Sequence, residues 1–346
     1  MNTRAGCRAP NEENRVTVIA TPRRRRIVVS LGAAALAALG ARRVAAQPGW
    51  PGKPVRIVVP FTPGTGMDIL ARTLAPHFQS AWGQAIVVDN RPGASGNLGA
   101  GAVAKSPPDG LTLLMGVNTL VINPALYANM TYDPLKDLAP IGLCATGSFL
   151  LVASAAAKLR SVDELVKSAR ARPGKLDYAS PGVATPHHMA MELFKLQAKI
   201  SITHIPFSGT AGAVNAVLSG DVPLMFLPVH VAMAQVKGGR LVVLASAGER
   251  RSTLAPDVPT LAELGFAGVQ AELWYGMLAP AGTPREIVVK VHDDMARALA
   301  LPEVKSALAA QGMEVAPSSP EEMAALMRRD AARWAAVVQR AGIKAE

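Results

Sequence analysis

The stretch Lys53-Pro-Val-Arg-Ile-Val-Val-Pro-Phe-Thr-Pro-Gly-Thr-Gly-Met-Asp-Ile-Leu-Ala-Arg72 has the pattern of a buried β-strand that leads through a Pro- and Gly-containing loop into an amphipathic helix. The first backbone N–H groups of a helix have no partner within it and carry the positive end of its dipole. Such junctions bind anions. We therefore predict an anion-binding loop here, suited to a small carboxylate.

The start of this helix has two further signals. Thr65 and Asp68 have the spacing of a capping box, and Asp68 lies four residues before Arg72, so the two can form an ion pair on one helical face. The residues predicted to face the core are Leu70, Leu74 and Phe78. A capped, rigid helix start is compatible with a purely structural role and is also what an anion site requires.

Downstream, short β-rich apolar runs alternate with longer segments of helical period, which predicts an α/β fold with largely parallel sheets. Two extended apolar spans, Ile141 to Ser154 and Glu272 to Ala279, have the character of crossover strands between two lobes. The predicted lobes are residues 47–143 with 276–346, and residues 144–275. Open α/β sheets bind ligands in a cleft at the carboxyl ends of their strands.

The N-terminus has the pattern of an export signal. The basic run Arg23 to Arg26 precedes an apolar run from Ile27 to Ala41, which is too short to span a membrane, and Val44-Ala-Ala46 supplies small residues for cleavage. We predict a signal peptide over residues 1–46, cut after about Ala46, and a periplasmic location. The general and twin-arginine routes both stay open.

Export changes the meaning of the net charge of +11. Nine of the 36 basic residues and two of the 25 acidic residues lie in residues 1–46, so the remainder carries only about +4. No long basic run follows the signal, which argues against nucleic acid as a partner. Of the two cysteines, only Cys144 lies beyond the signal, so no internal disulfide is expected.

Three later segments repeat the design of strand, loop and helix: Ser180 to His188, Pro206 to Gly212, and Phe226 to His230, where Pro228 is placed to begin a helix. The adjacent pair His187 and His188 points about 100° apart on a helix and is unsuited to a shared metal ion. We predict no metal site. His187 is either a capping or ligand-facing residue or a structural one.

The sequence gives little support for a dinucleotide-binding protein or an enzyme. The glycines at 93, 96 and 99 do not form the dinucleotide fingerprint, and we predict no cofactor. The sequence contains no G-x-S-x-G, S-x-x-K or P-loop, and Cys144 lies in an apolar run where an inert thiol is expected. We predict no enzyme. A periplasmic hydrolase whose residues meet only in space, and a scaffold without ligand, remain the alternatives.

A series of motifs runs through essentially the whole chain after the signal: Trp50-Pro51 with Lys53-Pro54 and Ile57-Val-Val-Pro60, Pro63-Gly64 with Asp68 and Ala71-Arg72, Asp89-Asn-Arg-Pro-Gly93, Pro108-Asp-Gly110, Asn123-Pro124, His204-Ile-Pro-Phe207, Asp257-Val-Pro-Thr260 and Trp274-Tyr-Gly-Met-Leu-Ala-Pro-Ala-Gly-Thr-Pro284. In these motifs and their order the chain resembles the Bug-type receptors, the periplasmic substrate-binding proteins of the tripartite tricarboxylate transporter system.

The resemblance implies a type II periplasmic-binding-protein (Venus flytrap) fold that closes on a small organic acid or other carboxylate. It implies a membrane permease or a sensor protein as partner, and we expect a monomer. The ligand-binding residues that it implies, together with Pro228 from the loop pattern, are Phe61, Thr62, Gly64, Thr65, Gly66, Met67, Asp68, Asn118, Thr119, Ser148, Thr185, His187, Gly209, Thr210, Ala211 and Pro228.

Two departures from the family pattern bear on the ligand. Many relatives have Tyr-Lys-Gly where this chain has Phe207-Ser208-Gly209, and acidic residues where it has Pro223 and Leu227. The second departure predicts a site that favours a carboxylate without an ammonium group.

Overall fold

The computed structural model describes residues 49–344, so the predicted signal peptide lies outside the described residues. The strands, in chain order, are β1 (Val55–Val59), β2 (Ile86–Asn90), β3 (Thr112–Val117), β4 (Leu138–Ser154), β5 (Asp177–Ser180), β6 (Thr203–Pro206), β7 (Leu224–Pro228), β8 (Leu241–Ser246), β9 (Glu272–Pro280) and β10 (Met313–Val315).

Helices follow most strands. They are α1 (Gly66–Trp82), α2 (Asn97–Ala104), α3 (Thr119–Ile122), α4 (Val162–Ala171), α5 (Pro186–Ala198), α6 (Thr210–Ser219), α7 (Val229–Lys237), α8 (Arg285–Ala300), α9 (Pro302–Ala309) and α10 (Pro320–Ala341). The 3-10 turns are Ala94–Gly96, Asn123–Ala125 and Ala155–Ala157.

The strands form two sheets that share β4. In the first sheet the order is β2-β1-β3-β9-β4-β10, and in the second it is β8-β4-β7-β5-β6. Strand β1 pairs in parallel with β2 and β3, and β5 pairs in parallel with β6 and β7. Every residue of β3 is buried, as expected for an apolar strand inside a sheet covered on both faces.

Strand β4 connects the two sheets. Its residues from Leu138 to Ser148 pair with β9, and those from Phe149 to Ala153 pair with β7. Strand β9 runs antiparallel beside the first part of β4. The predicted fold class, a two-lobed α/β fold with crossover strands, is confirmed by this arrangement. The proposed lobe boundaries stay a prediction.

Most predicted elements are present, including α1 with Leu70, Leu74 and Phe78 on its buried side. Two short elements were not predicted: α3, which follows β3 without a loop, and β10, which adds an edge to the first sheet. Between residues 49 and 344, no helix is both long and apolar enough to cross a membrane.

Candidate functional site

A cleft of about 450 Å³ lies between the two sheets, at the carboxyl ends of β1, β5 and β7. This volume is within the range of small-molecule sites, about 300 to 1,000 Å³. The loop from β1 to α1 forms one wall, together with Val117, Leu273 and Tyr275; we call it the first-sheet wall. The beginnings of α5, α6 and α7 form the opposite, second-sheet wall.

A hydrogen-bond network holds the loop of the first-sheet wall. Asp68 accepts from the Gly64 amide at 2.9 Å and from Arg72 at 3.0 Å; Arg72 also donates to Asn90, and Asn90 donates to the Phe61 carbonyl at 3.1 Å. Gly64 has a φ of 80°, the left-handed region that glycine adopts without strain. The loop is therefore fixed at both of its ends.

The predicted capping box is not formed, which corrects the sequence analysis. Thr65 makes no side-chain cap and instead donates its hydroxyl to the Thr62 carbonyl at 3.0 Å. The predicted ion pair of Asp68 with Arg72 is present. Burial by itself raises the pKa of Asp68, but the hydrogen bonds from Arg72, Gly64 and Asn90 outweigh it, so the net pKa is lowered and the carboxylate is charged.

Tyr275 lines the cleft on the first-sheet wall, next to Gly66. A Cβ atom placed on Gly66 would lie 2.6 Å from the Tyr275 hydroxyl oxygen, so only glycine allows this approach. Among the described residues the Tyr275 hydroxyl has no hydrogen-bond partner. Its hydroxyl oxygen lies beside the start of α1, where the O–H can rotate to donate to a ligand.

The second-sheet wall contributes three helix N-termini, those of α5, α6 and α7. Thr185 caps α5 and Pro186 occupies its first position, while Gly209, with a φ of 113°, precedes α6. Within residues 49–344, the amides of Gly66, Met67, Thr210 and Ala211 donate to no protein acceptor. Counting α1, four helix N-termini meet at one cleft, an arrangement that favours a bound anion.

His187 is a candidate ligand contact on this wall. Both of its ring nitrogens are buried and have no partner in the described part of the chain, and its ring packs edge-on against Phe149, with the ring centres 4.7 Å apart. Burial, with a smaller contribution from His230, lowers the pKa of His187 to about 3. A neutral imidazole carries one N–H donor. Since neither nitrogen of His187 is exposed in this structure, a ligand accepts from that donor only after a shift of the ring or the loop.

A stack of rings supports the loop behind His187. The rings of His188 and His204 lie 4.0 Å apart, and Tyr178 stacks on His204 at 4.8 Å. The ring of His188 accepts from the Ala184 amide at 3.2 Å, and Tyr178 donates to Glu192. His188 is therefore a structural residue that holds the loop.

Among the described residues, the side chains that line the cleft carry positive but no negative charge. Among residues 49–344, those that line the cleft include no Asp or Glu, and the only formally charged side chain at neutral pH in that lining is Arg240. Cys144 does not reach the cleft; burial raises the pKa of its thiol to about 12, so it is not a nucleophile at neutral pH. No cluster of three metal-ligating side chains occurs among the residues described.

The two walls touch. The methyl carbon of Thr62 lies 4.0 Å from the position of a Cβ atom on Gly209, and the Ser95 hydroxyl donates to the Val183 carbonyl at 2.6 Å. Ser95 lies on the first-sheet side and Val183 on the second, so this hydrogen bond spans the cleft.

The structure brings most of the predicted ligand residues into this lining. Those that line it are Phe61, Thr62, Gly64, Thr65, Gly66, Met67, Thr185, His187, Thr210, Ala211 and Pro228. Those outside it are Asp68, Asn118, Thr119, Ser148 and Gly209. As described above, Asp68 supports the loop rather than facing the cleft.

Asn118 lies outside the cleft lining because its side chain makes structural hydrogen bonds. Its amide group donates to the Glu272 carbonyl and to Asp330, and its oxygen accepts from the Trp274 amide at 3.0 Å. These contacts join β9 and α10 to the end of β3, and Asn118 and Thr119 are both buried. Ser148 lies where β4 passes from one sheet to the other.

Several lining residues were not predicted. They are Val117, Val214, Asn215, Leu218, Val231, Gln235, Arg240, Leu273 and Tyr275. The other lining residues, Pro63, Pro181, Pro186 and His230, lie within the predicted loops. Many lie on later turns of α6 and α7, and four-residue steps from Thr210 and Ala211 would have found Val214, Asn215 and Leu218.

Fold and cleft together define a two-lobed solute-binding protein. The model of the tripartite tricarboxylate transporter family receptor matches residues 70–343, and the chain belongs to this family. It is similar to Protein BugT of Bordetella pertussis, with 35% identity over 85% of this chain and 91% of BugT.

Solved structures agree. The periplasmic binding protein BugD is 30% identical with a TM-score of 0.80, covering 86% of this chain and 100% of BugD. The R. palustris protein Rpa4515 with adipate is 34% identical with a TM-score of 0.81, covering 85% and 99%. MatC from Rhodopseudomonas palustris with bound malate is 31% identical with a TM-score of 0.78, covering 84% and 100%. The chain is thus a ligand-binding receptor of the periplasmic-binding-protein type.

Proposed function

We propose that this receptor captures a small carboxylate in the cleft and presents it to a membrane permease, without chemical conversion. The observation that carries the proposal is the meeting of four helix N-termini at a cleft whose lining has no acidic side chain. A hydrogen bond to a charged group contributes about 1.5 to 3 kcal/mol, and a helix dipole up to about 2 kcal/mol. A few such contacts supply the roughly −8 kcal/mol of micromolar binding.

The carboxylate class is supported by two relatives, since the structures of Rpa4515 and MatC are described with adipate and malate. The proposed mechanism is closure: a ligand that contacts both walls stabilises the closed state by its greater affinity for it. Export is part of the proposal, with a signal peptide over residues 1–46 cut after about Ala46. N-terminal sequencing of the protein recovered from the periplasm tests the cut.

Mass spectrometry of the purified mature protein, under native and denaturing conditions, tests the capture. We expect a small acid, recovered unchanged. A thermal-shift panel of carboxylates and their uncharged amides, such as adipate against adipamide, tests the class. A response to amides equal to that of the acids would contradict an anion site, and turnover of the recovered compound would favour an enzyme.

The absence of acidic residues from the described lining also predicts selection against an ammonium group. We expect glutarate to bind more tightly than glutamate, because nothing acidic in the lining compensates the desolvated ammonium. Calorimetric titration of both compounds measures the difference, and tighter binding of glutamate would contradict this part of the proposal.

A further inference from the structure

A second cavity lies on the other side of β9 from the cleft. It is a groove of about 540 Å³ formed by the first part of β4, the start of β9, the loop before β9, and α10; we call it the β9–α10 groove. Leu273 and Tyr275 of β9 line the cleft, and Trp274, on the alternate face of the strand, lines the groove. An occupant of the groove therefore leaves the cleft open.

Asp330 is the one charged residue of the described groove lining that is buried, with 7% of its surface exposed. Its Oδ2 accepts from the Trp274 indole at 2.8 Å and from the Asn118 amide group at 3.3 Å. Within residues 49–344 its Oδ1 accepts no hydrogen bond, and no Lys, Arg or His side chain forms a salt bridge with it. A buried carboxylate without a cationic partner is unfavourable, so a cation that enters the groove would be stabilised there.

The rest of the lining adds more negative than positive charge. The exposed acidic residues are Glu249, Glu272 and Glu322. The two basic residues leave Asp330 unpaired: Arg333 donates to the Gln270 carbonyl, and Arg329 forms no salt bridge in the described chain. Four acidic and two basic side chains give the lining a formal charge of −2, the reverse of the cleft.

A guanidinium group fits this groove. Its five N–H donors can bond the free Oδ1 of Asp330 and a glutamate of the rim together. An apolar stem behind it can pack on Leu143 and Leu326, which are half-buried in the groove wall. Among the residues described, no three acidic side chains converge to hold a metal ion, which favours an organic cation.

We propose that the β9–α10 groove is a second ligand site, which binds a guanidinium group and is coupled to the cleft through β9. The guanidinium belongs either to a free guanidino compound or to an arginine side chain of a partner protein, and the two sources are distinguished by the probes below.

Only the coupling rests on the proposed function. Asp330 bonds Asn118 and Trp274, so a cation that draws on its charge acts on both side chains. The residues next to them in the chain line the cleft; they are Val117, Leu273 and Tyr275. Coupling between two sites is reciprocal, so a bound acid changes the guanidinium affinity by the same factor as the guanidinium changes the acid affinity.

Calorimetric titration of the acid-free receptor tests the site with two matched pairs of probes. Butylguanidine is compared with butylurea, and the peptide acetyl-Gly-Arg-Gly-amide with its citrulline analogue; each pair keeps its shape and differs in charge. In at least one pair we expect the guanidinium member to bind about tenfold to a hundredfold more tightly, the range of a hydrogen bond to a charged group. Tighter binding of butylguanidine than of the arginine peptide assigns the site to a free compound, and the opposite order assigns it to a partner's arginine.

Asp330→Asn should remove the difference within each pair, because asparagine still accepts from Trp274 but carries no charge. Asp293→Asn is the matched control: it removes an exposed carboxylate on α8, outside the groove, and should leave all four probes unaffected. Arg329→Gln removes a positive charge from the lining and should strengthen guanidinium binding about twofold to fivefold.

The coupling is measured by repeating the titration with the carboxylate of the thermal-shift panel that gives the largest shift, at saturation. It should change the guanidinium affinity about fivefold or more, and Asp330→Asn should abolish the change. Equal binding within both pairs, or undiminished guanidinium binding in Asp330→Asn, would overturn the second site. A guanidinium affinity that the bound acid leaves unchanged would overturn the coupling. Failure of every acid to bind would overturn carboxylate capture and the coupling together, while the guanidinium site would stand on the acid-free titrations.

Discussion

The two walls of the cleft are built differently. The first-sheet wall presents mainly backbone: a short loop held by Asp68, Arg72 and Asn90, whose free amides start α1. The second-sheet wall adds many side chains, including His187, Asn215, His230, Gln235 and Arg240. Backbone amides recognise any carboxylate, whereas side chains at set depths distinguish one from another. Backbone amides for anion capture are therefore present on both walls, whereas the side chains that select the ligand lie mainly on the second.

Gly64→Val should produce the largest effect, because a β-branched residue cannot adopt the left-handed φ of 80° without strain. Rearrangement of the loop would remove at least two amide contacts to the ligand, each about 1.5 to 3 kcal/mol. We expect affinity for the tightest-binding acid to fall about a hundredfold or more, measured by calorimetry.

Gly83→Val is the control at the other end of α1. Gly83 has a φ of 63° and open space around its Cβ position, and it does not line the cleft. It should cost similar stability and leave affinity unchanged. Equal loss of affinity in both variants would show that α1 stability, and not the loop, governs binding.

Lowering the pH should destabilise the second-sheet side of the protein before the first-sheet side. Burial lowers the pKa of His187 and His188 to about 3, so below the unfolded value of 6.5 the unfolded chain binds protons that the folded chain does not. Their stabilising contribution is complete above about pH 6.5 and is lost as pH falls toward 3. At about 1.4 kcal/mol per pKa unit, we expect each histidine to cost about 1 to 2 kcal/mol at pH 5.

Urea unfolding at pH 7.5 and pH 5 measures this loss, and hydrogen exchange should locate it on β5, β6 and α5. His188→Gln should reduce the pH dependence without removing it, because glutamine does not titrate while His187 and His204, whose pKa burial lowers to about 3, still do. Equal stability at the two pH values would contradict the prediction.

The loops of both walls could be predicted from sequence, because their signals are local. Pro and Gly residues interrupt each strand-to-helix junction, and an amide at a helix start is free wherever the helix packs. Pro228 before α7 is an example. The capping box predicted at Thr65 is wrong, because Asp68 accepts a hydrogen bond from the amide of Gly64 and not from that of Thr65.

Residues deeper in the cleft were not predictable in this way. Gln235 and Arg240 line the cleft only because α7 packs on the second sheet at a particular rotation. Asn118 lies at a strand end like the loop residues, yet its side chain bonds Asp330, 212 positions away, which no local pattern indicates. Tertiary packing decides both cases.

His187→Phe tests whether a side chain of the second wall contributes to ligand affinity. Phenylalanine keeps the packing on Phe149 and removes the N–H donor. If His187 donates to the carboxylate, affinity should fall about tenfold to a hundredfold. Stability should stay the same or rise, since an unpaired buried imidazole is unfavourable.

His77→Phe, outside the cleft, is the matched control and should leave affinity unchanged. Calorimetry and thermal unfolding of both variants separate binding from stability. Unaltered affinity in His187→Phe would identify the ring as a packing group only.

Ser95→Ala should have the smallest effect of these variants. It removes a hydrogen bond that joins the two walls. The Ser95 hydroxyl donates to the Val183 carbonyl at 2.6 Å, a bond that exists only while the walls are together. A neutral hydrogen bond contributes about 0.5 to 1.5 kcal/mol. Because the closed state loses that much, we expect ligand dissociation, followed by stopped-flow fluorescence, to accelerate about twofold to tenfold.

Ser106→Ala removes a hydrogen bond of the same kind, from a serine hydroxyl to the Ala102 carbonyl at 2.9 Å, but within the first-sheet side alone. It should reduce stability without changing the dissociation rate. Ser95 has a φ of 52°, so Ser95→Gly removes the bond and relieves backbone strain together. If the contact acts through closure, Ser95→Gly should accelerate dissociation as Ser95→Ala does while unfolding at a higher temperature. A dissociation rate equal to that of the wild type in both Ser95 variants would mean that the walls are held together by the ligand alone.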